Sequence, residues 1–456
     1  MPMMSAKALN RVLNGILTGP EDQSFSRVTI DSRQVQKNDL FVAIIGEKKD
    51  GHDYIDQARE RGAAGFLVSR DISPGADCFA VKVEDTLEGL QTLAAHWRDL
   101  YDPLIIGITG SNGKTTTKDL VASVLSRSRP TLKTPGNLNN QYGLPLALLQ
   151  LGSEDEVAVL EMGMNSPGEI ALLSSIARPD IGILTNIGPA HLEFLQDLEG
   201  VARAKNELVE ALPEDGVLIF NGDDPYVVGL AENYPGTRIS FGFEDRNQIR
   251  GEEIKKLGYN HIALGVTIAD KFQLFRVPLV GKHNAYNALA AIAVGWHLGI
   301  SKTSIGEGLL QVELSGNRME IQMMDKGYLL INDSYNANPT SMRYALDIVQ
   351  EIGGDRKIAL LGDMLELGAG SERLHRELGQ YIADMNLDLL LTRGPGGHLI
   401  GRGARDRGMP SRRIIDLENN QEAVKFLKKS LRSKDTVLIK GSRGLKMEEI
   451  VQGLKD

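Results

Sequence analysis

One cysteine in 456 residues, Cys78, is the scarcest chemical feature of the chain. It excludes an internal disulfide and a thiolate metal site and fits a reducing compartment, with Cys78 itself expected as a small apolar filler. Long apolar runs are lacking too. No stretch approaches the ~20 residues of a membrane-spanning helix, and the opening MPMMSAKALNRVLNG has no sustained apolar region of the signal-peptide kind. We therefore expect a cytoplasmic protein without membrane insertion. Positive charge is not in excess either. The formal net charge is −9 and the basic residues are scattered, which argues against a general binder of nucleic acid or membrane surfaces while leaving room for a local basic cleft.

What is present is ordinary for a globular protein, with 42% hydrophobic and 24% charged residues. The length exceeds one core, so two to three domains are expected. The most informative stretch is Ile105–Lys118, IIGITGSNGKTTTK. A β-branched apolar run ends in Thr109-Gly110-Ser111-Asn112-Gly113-Lys114-Thr115-Thr116, and helix-forming sequence follows. Strand, glycine loop and helix make a phosphate cradle: glycines let backbone N–H groups turn inward, and the helix start adds free donors and a positive dipole end. Lys114 supplies a cation for terminal phosphates and Thr115 a hydroxyl for Mg²⁺. Only Ser111 and Asn112 separate the two glycines, so this is a shortened loop. We expect it to bind a nucleoside triphosphate.

Residues 1–103 read as a small α/β unit. Phe25–Ile30 alternates apolar and polar residues as a strand, and Asp31-Ser32-Arg33 follows at its end. That triplet is either a turn with a salt bridge or a phosphate contact through the forked Arg33. A strand over Asp39–Ile45 leads to a polar loop ending at His52, a helix over about Tyr54–Arg61, strands Gly65–Ser69 and Phe79–Val83, and a helix over Thr86–Tyr101. Pro103 closes the unit as a linker.

Residues 104–314 alternate short apolar strands, Val157–Glu161, Ile181–Asn186 and Val217–Phe220, with helices. That order predicts a doubly wound parallel sheet with its ligands at the C-terminal strand ends. Glu161 ends one strand and is the natural hard-oxygen ligand for Mg²⁺. His191 follows the next strand, with a metal or phosphate role or a structural one. Lys205, in a helix over Glu199–Leu212, reads from its pattern as a surface lysine. Asn139 and Asn140 sit in a polar loop after Thr134 and suit sugar or amide contacts, or turns. Asn284 suits the N-cap of a helix running to about Leu298, and Asn287, one turn on, could read an adenine edge.

Residues 315–456 begin with a hinge-like Ser315-Gly316-Asn317-Arg318. Strands Met319–Met324 and Tyr328–Asn332 follow as a pair, then Asp333-Ser334-Tyr335-Asn336-Ala337-Asn338 and a helix starting at Pro339. Strands Lys357–Leu361, Asp388–Thr392 and Thr436–Ile439 alternate with helices over 371–384, 419–430 and 446–453. Their ends carry polar loops at Gly362–Met364, Arg393–Gly397 and Lys440–Arg443. Lys440 and Arg443 could meet a carboxylate and Asp363 or Glu366 an ammonium, or each is a solvated loop charge. The expected fold is α/β in three domains: a small N-terminal α/β domain (1–103), a central P-loop ATPase-like doubly wound domain (104–314) and a C-terminal Rossmann-like α/β domain (315–456).

Across essentially the whole chain these motifs resemble the Mur ligase family of peptidoglycan synthesis. TGSNGKTTTK, LEMG at Leu160–Gly163, NIGPAHLE at Asn186–Glu193, ARAKNELVE at Ala202–Glu210, GKHNAYNALAA at Gly281–Ala291 and SGNRME at Ser315–Glu320 are similar to the family's ATP and metal apparatus. DSYNANPTS at Asp333–Ser341, LGDMLELG at Leu361–Gly368 and KGSR at Lys440–Arg443 resemble the branch that adds D-alanyl-D-alanine. The resemblance implies an ATP-dependent amide ligase that couples D-alanyl-D-alanine to UDP-N-acetylmuramoyl-tripeptide through an acyl phosphate, acting as a monomer in the cytoplasm. It implies that Thr109–Thr116 hold the ATP phosphates and that Thr115 and Glu161 bind one Mg²⁺. It places His191 with Glu161 at a second Mg²⁺, braced by a Lys205 that CO₂ has carbamylated. Asn284 and Asn287 fall on the adenine side, Arg318 on the phosphates, and Asp333 at the ribose or hinge. Asp31, Ser32, Arg33 and the loop to His52 would hold the uridine diphosphate, and Asn139 and Asn140 would face the muramoyl group. Tyr335, Asn336 and Asn338 would lie between ATP and dipeptide. Other amide ligases of the same family, adding a diamino acid or adding glutamate to folate, remain open at this level, as does a nucleotide-driven switch that makes no bond.

Overall fold

The computed structural model describes residues 3–455. Three main sheets follow one another along the chain. The first has five strands. In spatial order they are Ile16–Thr18, Phe79–Lys82, Gly65–Val68, Asp39–Val42 and Arg27–Thr29, and all but Ile16–Thr18 are parallel. The single strand expected over Phe25–Ile30 is broken. Ser24–Phe25 pairs antiparallel with Met4–Ser5, whereas Arg27–Thr29 joins the sheet. Cys78 is buried here and its thiol is pushed up by desolvation, as befits an apolar filler.

The central sheet has nine strands. Its parallel part runs, in spatial order, Thr237–Gly242, Val217–Asn221, Ile181–Leu184, Leu104–Thr109, Val157–Glu161 and Thr131–Lys133. Leu104–Thr109 is therefore an inner strand, and its loop opens where neighbouring strand ends can brace it. Beyond Thr237–Gly242 an antiparallel ribbon of Ile249–Leu257, His261–Ile268 and Lys271–Val277 extends the sheet, which the reading by motifs did not anticipate. One sheet face packs against the helices Lys114–Leu125 and Lys282–His297. The other face shares a continuous apolar core with the first domain. Trp97 from the helix Thr86–Tyr101 is buried in that core and donates its indole N–H to Leu151 O at 3.1 Å.

The third sheet has six strands, all parallel except Glu320–Met323 at one edge. The polar loop expected at Arg393–Gly397 is instead the start of a helix, Gly394–Asp406, with Pro395 in its first turn. Its glycines allow the axis to press against the helix Ser371–Ala383. A Cβ on Gly379 would lie 2.0 Å from Ile400 O. Overpacking at such a contact forces backbone shifts, so Gly379→Ala is expected to destabilise the protein by about 3 kcal/mol. Urea denaturation with an unchanged m-value checks this. Among the described residues no helix is long and apolar enough to cross a membrane.

Candidate active site

The loop after Leu104–Thr109 is held by the next strand end over. Ser111 N donates to Asn186 O (2.9 Å), Asn112 N to Asn186 Oδ1 (2.9 Å), and Thr185 Oγ1 to Asn112 O (2.6 Å). The Ser111 hydroxyl donates to Gly188 O (3.0 Å) and accepts from Gly188 N (2.9 Å). Gly110 and Gly113 have positive φ and no room for a Cβ, which would lie 1.9 Å from Thr185 Oγ1 and 2.3 Å from Asn287 Oδ1 respectively. Lys114 opens the helix, and its Nζ donates back to Gly110 O at 2.8 Å. The loop's own N–H groups at Ser111 and Asn112 are thus turned onto Asn186, and what faces the cavity is the start of the helix, with its first-turn N–H groups and Lys114, an arrangement that suits an anion.

This loop forms one wall of a cavity of about 430 Å³. Ser111, Asn112, Gly113, Lys114, Thr115 and Thr116 line it, whereas Thr109 and Gly110 lie behind them. On the next strand Glu161 is 1% exposed and accepts from Thr115 Oγ1 (2.6 Å) and Asn139 Nδ2 (2.8 Å). Its own N–H donates to Thr134 Oγ1 at 3.0 Å, which fixes the strand end. Asn140 also lines the cavity, but its side chain is engaged by the N–H groups of Tyr142 and Gly143. His191, at φ 56°, borders the cavity, with Nδ1 2.6 Å from Glu366 Oε2.

Lys205 corrects the reading from pattern. It is 2% exposed rather than on the surface, and among the described residues it makes no hydrogen bond or ion pair. Burial, and then the charge of Lys114, hold its amine well below the ordinary lysine range. Lys114 is itself lowered by burial, partly offset by Glu161. Asn284 is not an N-cap. Gly281 takes that position, and the Asn284 amide donates to Val280 O at 2.9 Å from inside the helix. Asn287 donates to Asn284 Oδ1 and accepts from Thr117 Oγ1, so both asparagines are buried against the phosphate loop, with edges on the cavity.

The opposite wall comes from the third domain. Arg318 lies over the Tyr335 ring, 3.8 Å from its centroid, and burial pushes the Tyr335 phenol up. Asp333 accepts from Met319 N (3.1 Å) and from the buried Lys440 Nζ (2.5 Å), which also donates to Asn336 O (2.9 Å). Lys440 is therefore an internal strut. Asn338 caps the helix Pro339–Ile352 in a capping box with Ser341 and reaches across to Asn112 Oδ1 at 2.8 Å. Asp363 accepts the N–H of Gly397 (2.8 Å) in the first turns of the helix Gly394–Asp406. Arg443 is 5.7 Å from the Tyr335 ring centroid and 3.2 Å from Glu448.

Asp31, Ser32, Arg33 and His52 do not line this cavity. Arg33 forks onto Asp31 through Nε (2.9 Å) and Nη2 (2.8 Å), which lowers the Asp31 carboxyl to about 2 and leaves Arg33 on the surface. Ser32 Oγ donates to Gln57 at 2.6 Å. His52 is buried. Its Nε2 accepts the Ser69 N–H (3.0 Å), so the ring proton sits on Nδ1, toward Asp50 (2.6 Å). Within the first domain, then, Ser32 and His52 shape the loops, and Arg33 with its Asp31 partner is the exposed charge.

The donor set fits magnesium. Among the described residues no three of His, Cys, Asp and Glu converge as a closed metal cage. Magnesium does not require one, because it takes one or two carboxylates and draws its other ligands from phosphates and water. Thr115 and the buried Glu161 supply such oxygens beside the loop, with His191 at the same cavity.

Three family descriptions match the sequence: "Mur ligase family, catalytic domain" at residues 24–98, "Mur ligase middle domain" at 108–295 and "Mur ligase, glutamate ligase domain" at 317–443. The UDP-N-acetylmuramoyl-tripeptide--D-alanyl-D-alanine ligase of Bacillus subtilis (strain 168) is 38% identical over 454 residues, covering 99% of this chain and 98% of that protein. The chain belongs to the Mur ligase family. The crystal structure of MurF from Acinetobacter baumannii matches it with a TM-score of 0.90 at 32% identity, covering 100% of this chain and 99% of that one. MurF ligase from Thermotoga maritima, solved in complex with ADP, matches with a TM-score of 0.82 at 28% identity over 94% of this chain and 97% of that one.

Sequence reasoning had not assigned several residues that shape this Mur ligase site. Thr185 and Asn186 brace the loop, and their position at a strand end was the available signal. His283 stacks on Tyr344 across the domain boundary, with centroids 4.9 Å apart and planes at 7°, and burial pushes its imidazole down to about 4. No local pattern marks that pair.

Proposed function

We propose that this chain joins D-alanyl-D-alanine to UDP-N-acetylmuramoyl-tripeptide at the expense of ATP, with an acyl phosphate as intermediate. The observation that carries the reading is a single cavity. On one side are Lys114, Thr115 and Glu161 of the central domain, and on the other Arg318, Tyr335, Asn336 and Asn338 of the third. Residues 1–103 would hold the uridine diphosphate end, residues 104–314 the ATP, and residues 315–456 the dipeptide.

A carboxylate acylates poorly, because its leaving group would be oxide. Transfer of the γ-phosphoryl group to the substrate carboxylate makes phosphate the leaving group. Lys114 and the first-turn N–H groups of residues 113–116 would stabilise the charge that builds on the transferring oxygens. Arg318, held over the Tyr335 ring, adds a second cation from the far side of the cavity. Magnesium, when bound, neutralises phosphate charge; Thr115, Glu161 and His191 would hold it. Lys205 suits the carbamate role because only a neutral amine captures CO₂, and burial beside Lys114 holds this amine well below the ordinary lysine range. The dipeptide amine then attacks the acyl carbonyl and phosphate leaves. The Asn338–Asn112 contact ties the two walls together, and closing the third domain further over the cavity would keep water from the acyl phosphate.

Incubation with ATP, UDP-N-acetylmuramoyl-tripeptide and D-alanyl-D-alanine should give ADP, phosphate and, by mass spectrometry, the nucleotide substrate plus the dipeptide less one water. ATP turnover without that product, or coupling of a diamino acid or glutamate in place of the dipeptide, refutes the reading.

A further inference from the structure

Among the described residues, the carboxylate of Glu366 is the third domain's ion-pair partner for His191. Its loop is fixed within the third domain at successive residues. Met364 N donates to His375 Nε2 (2.9 Å), Leu365 N to Ser442 Oγ (2.9 Å), and Ser442 N to Asp363 O (3.0 Å). From this rigid base the loop touches the central domain at three points. Glu366 Oε2 lies 2.6 Å from His191 Nδ1, Glu366 O accepts the Glu193 N–H at 3.1 Å, and Gly368 packs on Glu193 so closely that a Cβ there would be 3.0 Å from its Cα. Both His191 and Glu366 sit at positive φ, 56° and 63°, a backbone conformation that residues with a Cβ rarely adopt and that a fixed contact can offset. The Nε2 atom of His191 has no hydrogen-bond partner among the described residues, and both residues line the cavity.

We propose that Glu366 is a positioning residue for the metal: by binding Nδ1–H it fixes the His191 ring and tautomer, and thereby makes metal affinity depend on the third domain being docked. A histidine ligand whose other ring nitrogen is held by a carboxylate is better oriented and more basic, and loss of that outer partner typically weakens a metal site 10–100-fold. Here the outer partner comes from a different domain than the ligand. Metal binding and docking are therefore coupled, and by linkage each strengthens the other. The proposal rests on the assignment of His191 as a metal ligand made above.

The test uses the full chain with ADP and Mn²⁺ as the probe, bound manganese being read by electron paramagnetic resonance. Wild type should bind Mn²⁺. Glu366→Ala should weaken that binding about 10-fold or more. Glu366→Gln, which keeps an acceptor oxygen, should fall between the two. In the ligation assay the same variants should raise the KM for Mg²⁺ in the same order, with activity returning as Mg²⁺ is raised. Mn²⁺ affinity within twofold of wild type in both variants, or tighter binding by Glu366→Ala, overturns the proposal and leaves the metal assignment standing. A wild-type protein that binds no Mn²⁺ in the presence of ADP overturns both. If Glu366→Ala does not fold, the order of Glu366→Gln relative to wild type decides.

Discussion

Lys114→Ala is expected to abolish phosphoryl transfer, lowering kcat by about 10³-fold or more, while the affinity for the UDP-linked substrate stays within about twofold. The magnitude follows from where the ammonium sits. It is carried on the first residue of the helix Lys114–Leu125 and bonded to Gly110 O, so it lies within the loop that would cradle the phosphates. Removing one neutral donor from such a site costs about 10²–10³-fold. A cation in a cavity that already holds the Glu161 carboxylate contributes more. The unchanged affinity follows from distance in the fold, because Asp31 and Arg33 follow a strand of a separate sheet and line no part of this cavity. Phosphate release measures the first quantity and calorimetry the second. A tenfold loss of UDP-substrate affinity in this variant would show that the two sites are not independent.

The parts of the site that were legible in the sequence are those whose chemistry is local. A phosphate loop is built from consecutive residues, so Gly110, Gly113, Lys114 and Thr115 declare themselves, as does Glu161 at the end of an all-buried strand. Asn338 before Pro339 was equally readable as a helix start, because capping is settled within four residues. What escaped depends on partners far along the chain. His52 and Ser32 are spent on Ser69 and Gln57, 17 and 25 residues away, and no spacing rule announces that. The helix Gly394–Asp406 escaped for a different reason. Its five glycines argue against helix by propensity, and tight packing on Ser371–Ala383 overrides them. Lys205 is the instructive case. It lies four residues after Val201 and three before Leu208, on the apolar stripe of its own helix, and all three are buried. A lysine on that stripe is either an error of folding or a functional group, so its pattern, properly weighed, pointed inward.

That placement leads to the second large effect, in which stability and activity move in opposite directions. If Lys205 carries the proposed carbamate, replacing it by alanine or methionine should eliminate ligation, because neither side chain can take up CO₂. Alanine leaves a cavity, and short carboxylates such as acetate or propionate at high concentration should restore part of the activity by occupying it; methionine fills the same space and should not be rescued. Absence of rescue in Lys205→Ala would leave the carbamate role without support. The stability effect has the opposite sign for methionine. In the uncarbamylated, metal-free protein the folded state holds this amine well below its ordinary value, while the unfolded chain restores it. Between those two values the unfolded state binds more protons, so stability rises with pH through that window and is penalised below it. Methionine has similar bulk and no charge to desolvate. Lys205→Met should therefore melt at a higher temperature than wild type in CO₂-depleted buffer without magnesium at neutral pH, and the gap should narrow as pH is raised toward the ordinary lysine range. Equal melting temperatures at pH 7 and pH 9 in the two proteins would mean that the buried amine is solvated or paired in solution. A gap that closes with pH would identify Lys205 as a residue held at a cost to stability for the sake of the reaction.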